Sequence, residues 1–177
     1  MTGDFNAGYP NGYNAFYLMK YEPTEGLYVD FLNTLSREQA LSRFPDLYGV
    51  DRHTVKKVYE NDLIVRFSTD APHRAIGFLF WGEAWIDAVG LTDWAALRPA
   101  TEMEFEKACR GPVPPVDGDF AWGVAPAVTY TSILEDGTDG EIPAEPAANA
   151  NWNAARPRGP IRVGAFATTH SERVTAG

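Results

Sequence analysis

Three histidines, His53, His73 and His170, are the only imidazoles of the chain, and they stand too far apart for the i, i+4 spacing by which a helix presents two ligands to one zinc ion. No HExxH, GxSxG, GxxxxGK[ST] or dinucleotide fingerprint occurs, so metalloprotease, serine-hydrolase and phosphate-loop chemistry have no support. Each histidine reads as a surface or structural residue. Cys109 is the single cysteine, which excludes an intrachain disulfide framework and any CxxC metal or redox pair. Set between Ala108 and Arg110 on the expected inner face of a helix, it reads as a small buried hydrophobe; a nucleophilic thiol wants a partly exposed site that lowers its pKa. The stretch ILEDGTDGE puts Asp136, Asp139 and Glu141 around glycine turns. Such hard oxygens could wrap calcium, but the spacing is not that of an EF-hand, and a solvated acidic loop is the plainer reading. Arg98 and Arg110 flank the glutamates Glu102, Glu104 and Glu106, read as an internal ion-pair network that locks a helix to the core rather than as an acid–base set.

The positive signal is aromatic. Aromatics make up 13% of the chain, with five Trp and eight Tyr. Tyr9, Tyr13, Trp85, Trp94, Trp122, Tyr130 and Trp152 exceed the needs of one small core, and exposed Trp and Tyr suit sugar or protein recognition because they offer area at low entropy cost. Trp122, Tyr130 and Trp152, in the loop-rich second half, are the candidate ligand contacts.

The elements that must position these residues belong to a chain of 177 residues and 19.5 kDa, read as one domain over 1–177 with a real core. Hydrophobic residues at 45% and charged residues at 22% are ordinary globular usage. Fifteen Lys+Arg against 24 Asp+Glu give a net charge of −9, which repels phosphate backbones and argues against nucleic acid as a partner. No apolar run approaches 18 residues, so no membrane span is expected. The start, MTGDFNAGYPNGYNAFY, lacks the charged and then apolar regions of a signal peptide. Either the chain is not exported by that route or its true beginning is missing.

Alternation over Tyr13–Glu22 predicts a strand. Thr24 is a helix N-cap ahead of the apolar stripe Leu27, Tyr28, Phe31, Leu32 and Leu35, and Ser36 with Gln39 forms a capping box that opens a second helix. Residues 46–61 read as polar loop and Asp62–Phe67 as a short strand. Trp81–Leu97 is the strongest helical stretch, with Gly90 inside it at a cost of about 1 kcal/mol relative to Ala, so a packing reason is expected. Thr101 and Glu104 make a second capping box, opening a helix with Phe105, Ala108 and Cys109 inward and Gly111 at its C-terminal end. Beyond Pro112 only Ile161–Ala167 reads as a strand. The fold class is therefore α+β, loop-rich, with few short strands and two main helical regions. Roughly 50 residues of loop between Gly111 and Ile161 are where function would sit.

These residues resemble the formylglycine-generating-enzyme (sulfatase-modifying-factor) domain. Its pattern E-x-T-x-x-x-Y-x-x-F-x-N corresponds to Glu22, Thr24, Tyr28, Phe31 and Asn33. A W-x-x-A helix follows at Trp81 and Ala84, then L-R-x-x-T-E-x-E-[WF]-E-x-A-x-R-G at Leu97, Arg98, Thr101, Glu102, Glu104, Phe105, Glu106, Ala108, Arg110 and Gly111, and W-G at Trp122 and Gly123. The family usually has Pro directly before the Thr; here Pro99 is one residue earlier and Ala100 intervenes. The resemblance covers about residues 13–167 and implies a C-type-lectin-like fold. The family's founding activity, copper- and oxygen-dependent conversion of a sulfatase cysteine to formylglycine, uses two cysteines near the domain's C-terminus, and neither is found here. Copper is therefore not expected, and Cys109 does not occupy the catalytic position. Relatives also bind calcium at an A-N-x segment, which Ala150-Asn151-Trp152 resembles, making Asn151 the one metal candidate carried over.

What the resemblance implies is a non-catalytic recognition or structural surface module that binds a protein or glycan partner or assembles with other subunits, in an extracellular, cell-surface or virion-surface setting. The alternative is a fragment of a copper-dependent formylglycine-generating oxidase. Trp81, Trp94, Arg98, Glu104 and Phe105 are assigned to the scaffold.

Overall fold

The computed structural model describes residues 15–77, 84–110, 117–118, 120, 126–151 and 157–167. It is a mixed α and β arrangement: α1 (Glu25–Thr34), α2 (Arg37–Arg43), β1 (Lys56–Glu60), β2 (Leu63–Ser68), α3 (Ala84–Trp94), α4 (Glu102–Arg110), β3 (Ile133–Leu134) and β4 (Ile142–Pro143). The α+β class expected from the sequence holds.

Helix α1 starts where Thr24 caps it, its hydroxyl accepting from the Leu27 N–H at 3.1 Å. Its stripe Tyr28, Phe31 and Leu32 is enclosed almost completely and packs with Ala40, Val55, Phe67, Ile76 and Leu91. Each large side chain so buried contributes roughly 1.5–3 kcal/mol of transfer free energy. Tyr28 of the stripe and the exposed Asn33 beside it both bond to backbone groups. The Tyr28 hydroxyl donates to the Arg43 carbonyl at 2.6 Å. The Asn33 amide accepts from Phe67 N–H at 2.8 Å and donates to Phe67 C=O at 3.1 Å, taking the place of a neighbouring strand. The Ser36–Gln39 capping box opens α2 as expected. In α3, Leu91 is buried and Trp94 leans on Phe31 at 5.8 Å between ring centres. Gly90 faces the Phe31 ring and the Arg43 guanidinium, and an added Cβ would meet them at ordinary contact distances of 3.5 and 3.6 Å.

The structure corrects four sequence expectations. Residues 15–22 of the expected Tyr13–Glu22 strand are not in a strand: Tyr17, Leu18, Met19 and Tyr21 are all exposed, so neither alternate face is committed to a core. Within 46–61, read as loop, lies β1, antiparallel to β2. Its two lysines and glutamate disguised it. The two strands are joined by Asn61 and Asp62, both at positive φ (48° and 62°), the conformation of a type I′ hairpin turn. A bulge between Val58 and Tyr59 lets Ile64 and Phe67 both reach the core despite their odd spacing. In Ile161–Ala167 only Arg162 pairs, across from Arg74, before Gly164 turns the chain at φ 73°.

The fourth correction concerns α4. Its N-terminus is built as expected, with Thr101 and Glu104 bonded reciprocally. Its apolar side is not covered: Phe105 is 59% exposed, and Ala108 and Cys109 are exposed too. The helix is held by the opposite side, where Arg98 forks onto Glu104 at 2.8 and 2.5 Å and Lys107 lies 5.4 Å from the Phe16 ring centre. The Arg98–Glu104 pair is thus a local surface clamp and not an internal lock, and Phe105 is not a core residue. Trp81 and Gly111, together with the side chains of Trp85 and Arg110, lie outside the described set.

Candidate functional site: an apolar cleft beside a three-segment ladder

Three pieces of backbone far apart in sequence meet side by side. Pro23–Glu25 bonds to Arg74–Ile76 through Glu25 N–H to Arg74 C=O (2.8 Å) and Ile76 N–H to Pro23 C=O (2.9 Å). On its other side His73–Ala75 bonds to Ile161–Val163, through Ala75 N–H to Ile161 C=O (3.2 Å) and Val163 N–H to His73 C=O (2.9 Å). This ladder ties the first core to a second, smaller one of Tyr130, Ala148, Ile161 and Ala165.

A buried ionic clasp backs the ladder. Glu141, 1% exposed, accepts from Arg74 Nε (3.0 Å) and Nη2 (2.7 Å), Gly137 N–H (2.8 Å) and Arg162 N–H (3.1 Å), and pairs with Arg52 Nη2 at 2.8 Å. Asp136 pairs with the same two arginines, Arg52 and Arg74. Burial alone would raise the Glu141 pKa, but the Arg74 hydrogen bond, the Gly137 N–H and the charges of Arg52 and Arg74 outweigh it and hold the carboxyl below its ordinary value. A second enclosed carboxylate, Glu25, accepts from Thr54 Oγ1 (2.5 Å) and Thr69 Oγ1 (2.7 Å) and faces His53 Nδ1 at 3.3 Å. Here too burial raises the pKa and is outweighed by the hydrogen bonds from His53, Thr54 and Thr69, leaving it lowered.

Beside the ladder opens a cleft of about 600 Å³. It is lined by Ile161–Gly164 and Phe166, by Phe120 and Ala127, by Asn149–Asn151, and by Glu22 and Ala75. Both asparagines are committed to the fold. Asn149 accepts from Val128 N–H (2.8 Å) and donates to Pro126 C=O (3.1 Å). Asn151 accepts from the Tyr130 hydroxyl (3.0 Å) and donates to Gly159 C=O (3.0 Å). What faces the open space is therefore mostly aliphatic and aromatic.

The sequence-derived candidates are distributed as follows. Asn151 lines the cleft. Tyr130 is wholly enclosed, its ring 6.4 Å from that of Phe166, so it does not face a ligand; it positions Asn151 from behind the wall. Burial pushes its phenol pKa up. Trp122 and Trp152 lie outside the described residues, as does His170. Of the acidic stretch, Asp136 and Glu141 carry arginines, and Asp139 meets His73 Nε2 at 2.9 Å on the surface. His53 is buried in the structural role just given. Cys109, not among the residues lining the cleft, is an exposed thiol whose pKa is raised by burial of part of the group and by Glu106. Among the described residues, no group of three or more His, Cys, Asp or Glu side chains is placed to hold a metal ion, and no helix is long and apolar enough to cross a membrane.

Sequence reasoning missed Arg52, Arg74, Arg162, Asn149, Phe120 and Phe166. The arginines carried a signal of a kind: an acidic stretch with no base of its own needs cations from elsewhere if any of it is buried. Comparison of the chain with known protein families, with characterised proteins and with solved structures finds no match to any of them.

Proposed function

We propose that the chain is a non-catalytic recognition module that seats a segment of a protein partner in the cleft beside the ladder. The observation that carries this reading is that the two asparagines lining the cleft are spent on backbone groups and on the Tyr130 hydroxyl, which leaves a mostly aliphatic and aromatic surface already held in place. An apolar side chain gains by entering such a site. A glycan needs several free donors and acceptors, and a calcium-assisted contact at Asn151 would compete with the Tyr130 hydroxyl for the same oxygen; the protein partner is favoured over the glycan. The finer scaffold reading, a C-type-lectin-like fold of formylglycine-generating-enzyme type, belongs to this proposal. It is supported by the motif residues Thr24, Tyr28, Phe31 and Asn33, which cap, fill and hydrogen-bond the first core as a scaffold motif should. An extracellular or virion-surface setting goes with that reading. The oxidase alternative has less support, since Cys109 sits on α4 and does not line the cleft.

The test is selection of a displayed random-peptide library on the immobilised protein, repeated with Ala150→Trp, which fills the cleft from its wall. Enriched peptides centred on an apolar residue, bound at least tenfold more weakly by the variant at unchanged thermal stability, are the expected result. Peptides that ignore the substitution, or binding seen only on a glycan array, would refute the proposal.

A further inference from the structure

The hairpin of β1 and β2 has two edges, and only one of them is covered. On the β2 edge the Asn33 side chain takes both the N–H and the C=O of Phe67. Along the β1 edge no further strand runs, and among the described residues no backbone hydrogen bond from outside the hairpin reaches Lys56–Glu60. An edge with unspent N–H and C=O groups is a template for another strand.

The register shows which groups are unspent. Phe67 gives its N–H and C=O to Asn33, away from β1, so Lys57 opposite it turns its own pair away from β2. The bulge places its extra residue, Val65, in β2; β1 therefore alternates without a break, and Tyr59 presents its N–H and C=O on the same open side as Lys57. The strand reads KKVYE, which complements itself when run antiparallel about Val58. In that register Lys57 of one copy faces Tyr59 of the other and the two exchange both backbone bonds, twice by symmetry. Val58 faces Val58 in the close, non-hydrogen-bonded pair at the centre, and Lys56 faces Glu60 at each end. Centring the pair on Lys57 instead sets lysine against lysine, and centring it on Tyr59 leaves Glu60 opposite Val58; neither gains two ion pairs. Lys56 already bonds Asp70 of its own chain at 2.5 and 2.7 Å, and its ammonium keeps a third N–H for Glu60 across the edge. Tyr59, 58% exposed, gains the apolar stem of the second copy's Lys57 as cover.

We infer that β1 pairs with β1 of a second copy of this chain, joining two hairpins into a four-stranded antiparallel sheet. Five residues a side is a small contact beside that of a permanent dimer, so the pairing forms and breaks. None of the five lines the cleft, and the pairing stands apart from the proposal of peptide recognition.

The experiment is sedimentation velocity of the full chain from about 10 µM to about 1 mM at pH 7 and about 0.15 M salt, where the charge of −9 on each copy is screened beyond about 8 Å. The parent is expected to move from monomer toward dimer across that range. Glu60→Lys and Lys56→Glu each set like charges against each other at both ends, so each alone is expected to associate about tenfold more weakly. Mixed together, the two variants have opposite charges at every end position, and association is expected to return as a heterodimer. Tyr59→Pro, which removes an N–H on the open side and none from the ladder to β2, is expected to abolish it. Melting curves check that each variant is folded; the mixture of the two charge variants decides the matter where the proline variant is not. A parent that stays monomeric at about 1 mM overturns the inference. So does a dimer that ignores the charge changes, or a mixture that associates no better than its components.

Discussion

Glutamine at position 141 would test whether the clasp behind the ladder holds the two cores together. The substitution keeps the shape of the side chain and removes its charge. All five groups that approach the Glu141 carboxylate are donors: Arg74 Nε and Nη2, Arg52 Nη2, and the N–H groups of Gly137 and Arg162, at 2.7–3.1 Å. A carboxylate accepts all of them; an amide offers one oxygen and turns an NH₂ toward the rest. The cluster of Arg52, Arg74, Asp136 and Glu141 changes from balanced to one charge in excess, around guanidiniums only 10% and 7% exposed. Removing one partner of a buried pair costs about 3–5 kcal/mol, because the other charge stays buried and uncompensated. At roughly 2–4 °C per kcal/mol for a chain of this size, Glu141→Gln should melt roughly 6–20 °C below the parent at pH 7 by calorimetry. Truncating both sides at once relieves the penalty, so Glu141→Leu with Arg74→Met should lose less than the two single changes added together. A melting point within about 2 °C of the parent for Glu141→Gln would refute the reasoning, as would strict additivity in the cycle.

Acid should act through the same group and through Glu25. Both carboxyls have folded pKa values below that of an ordinary glutamate, so the unfolded chain takes up protons first. Their contribution is complete above that range and is lost as pH falls through the folded values; urea titrations from pH 7 to 3 should show stability falling below about pH 4.5, and the slope should flatten in Glu25→Gln/Glu141→Gln. Gly159→Ala should destabilise by about 3 kcal/mol or more in urea, because its φ of 110° is strained for any side chain and an added Cβ runs into the Asp51 carbonyl; a loss under about 1 kcal/mol would mean the two segments are not in contact. Cys109 should be labelled by a thiol reagent in the native protein, more slowly at neutral pH than an unperturbed thiol since its pKa is raised; labelling that requires denaturant would place α4 the other way round.

The parts legible in the sequence are those whose causes are local. Thr24, the Ser36–Gln39 box and the Thr101–Glu104 box each announce a helix start within four residues, and all three are in place. The stripe of α1 is legible for the same reason: its period is written in one short run, and that run is buried. Strands need a partner, which the local run does not name. Tyr13–Glu22 alternates better than Lys56–Glu60, yet the latter is the strand, because Asn61 and Asp62 accept positive φ and fold β2 back onto it.

The acidic stretch shows the same limit more sharply. Read alone, Asp136, Asp139 and Glu141 are either a solvated loop or a cation's ligands. The cations that meet them are side chains from 62 to 89 residues away: Arg74 lies 62 positions from Asp136, and Arg52 lies 89 from Glu141. Nothing in the local pattern distinguishes Glu141, enclosed and held by two arginines, from Asp139, which faces solvent beside His73. The difference is made by the ladder. Arg74 pairs across from Arg162, which brings both guanidiniums to the segment that ends at Glu141. Arg74 is then neutralised by Glu141 and Asp136, whereas the Arg162 guanidinium is held by the carbonyls of Glu141 and Val163. One pairing therefore gathers at a single junction the charges that hold the two cores together.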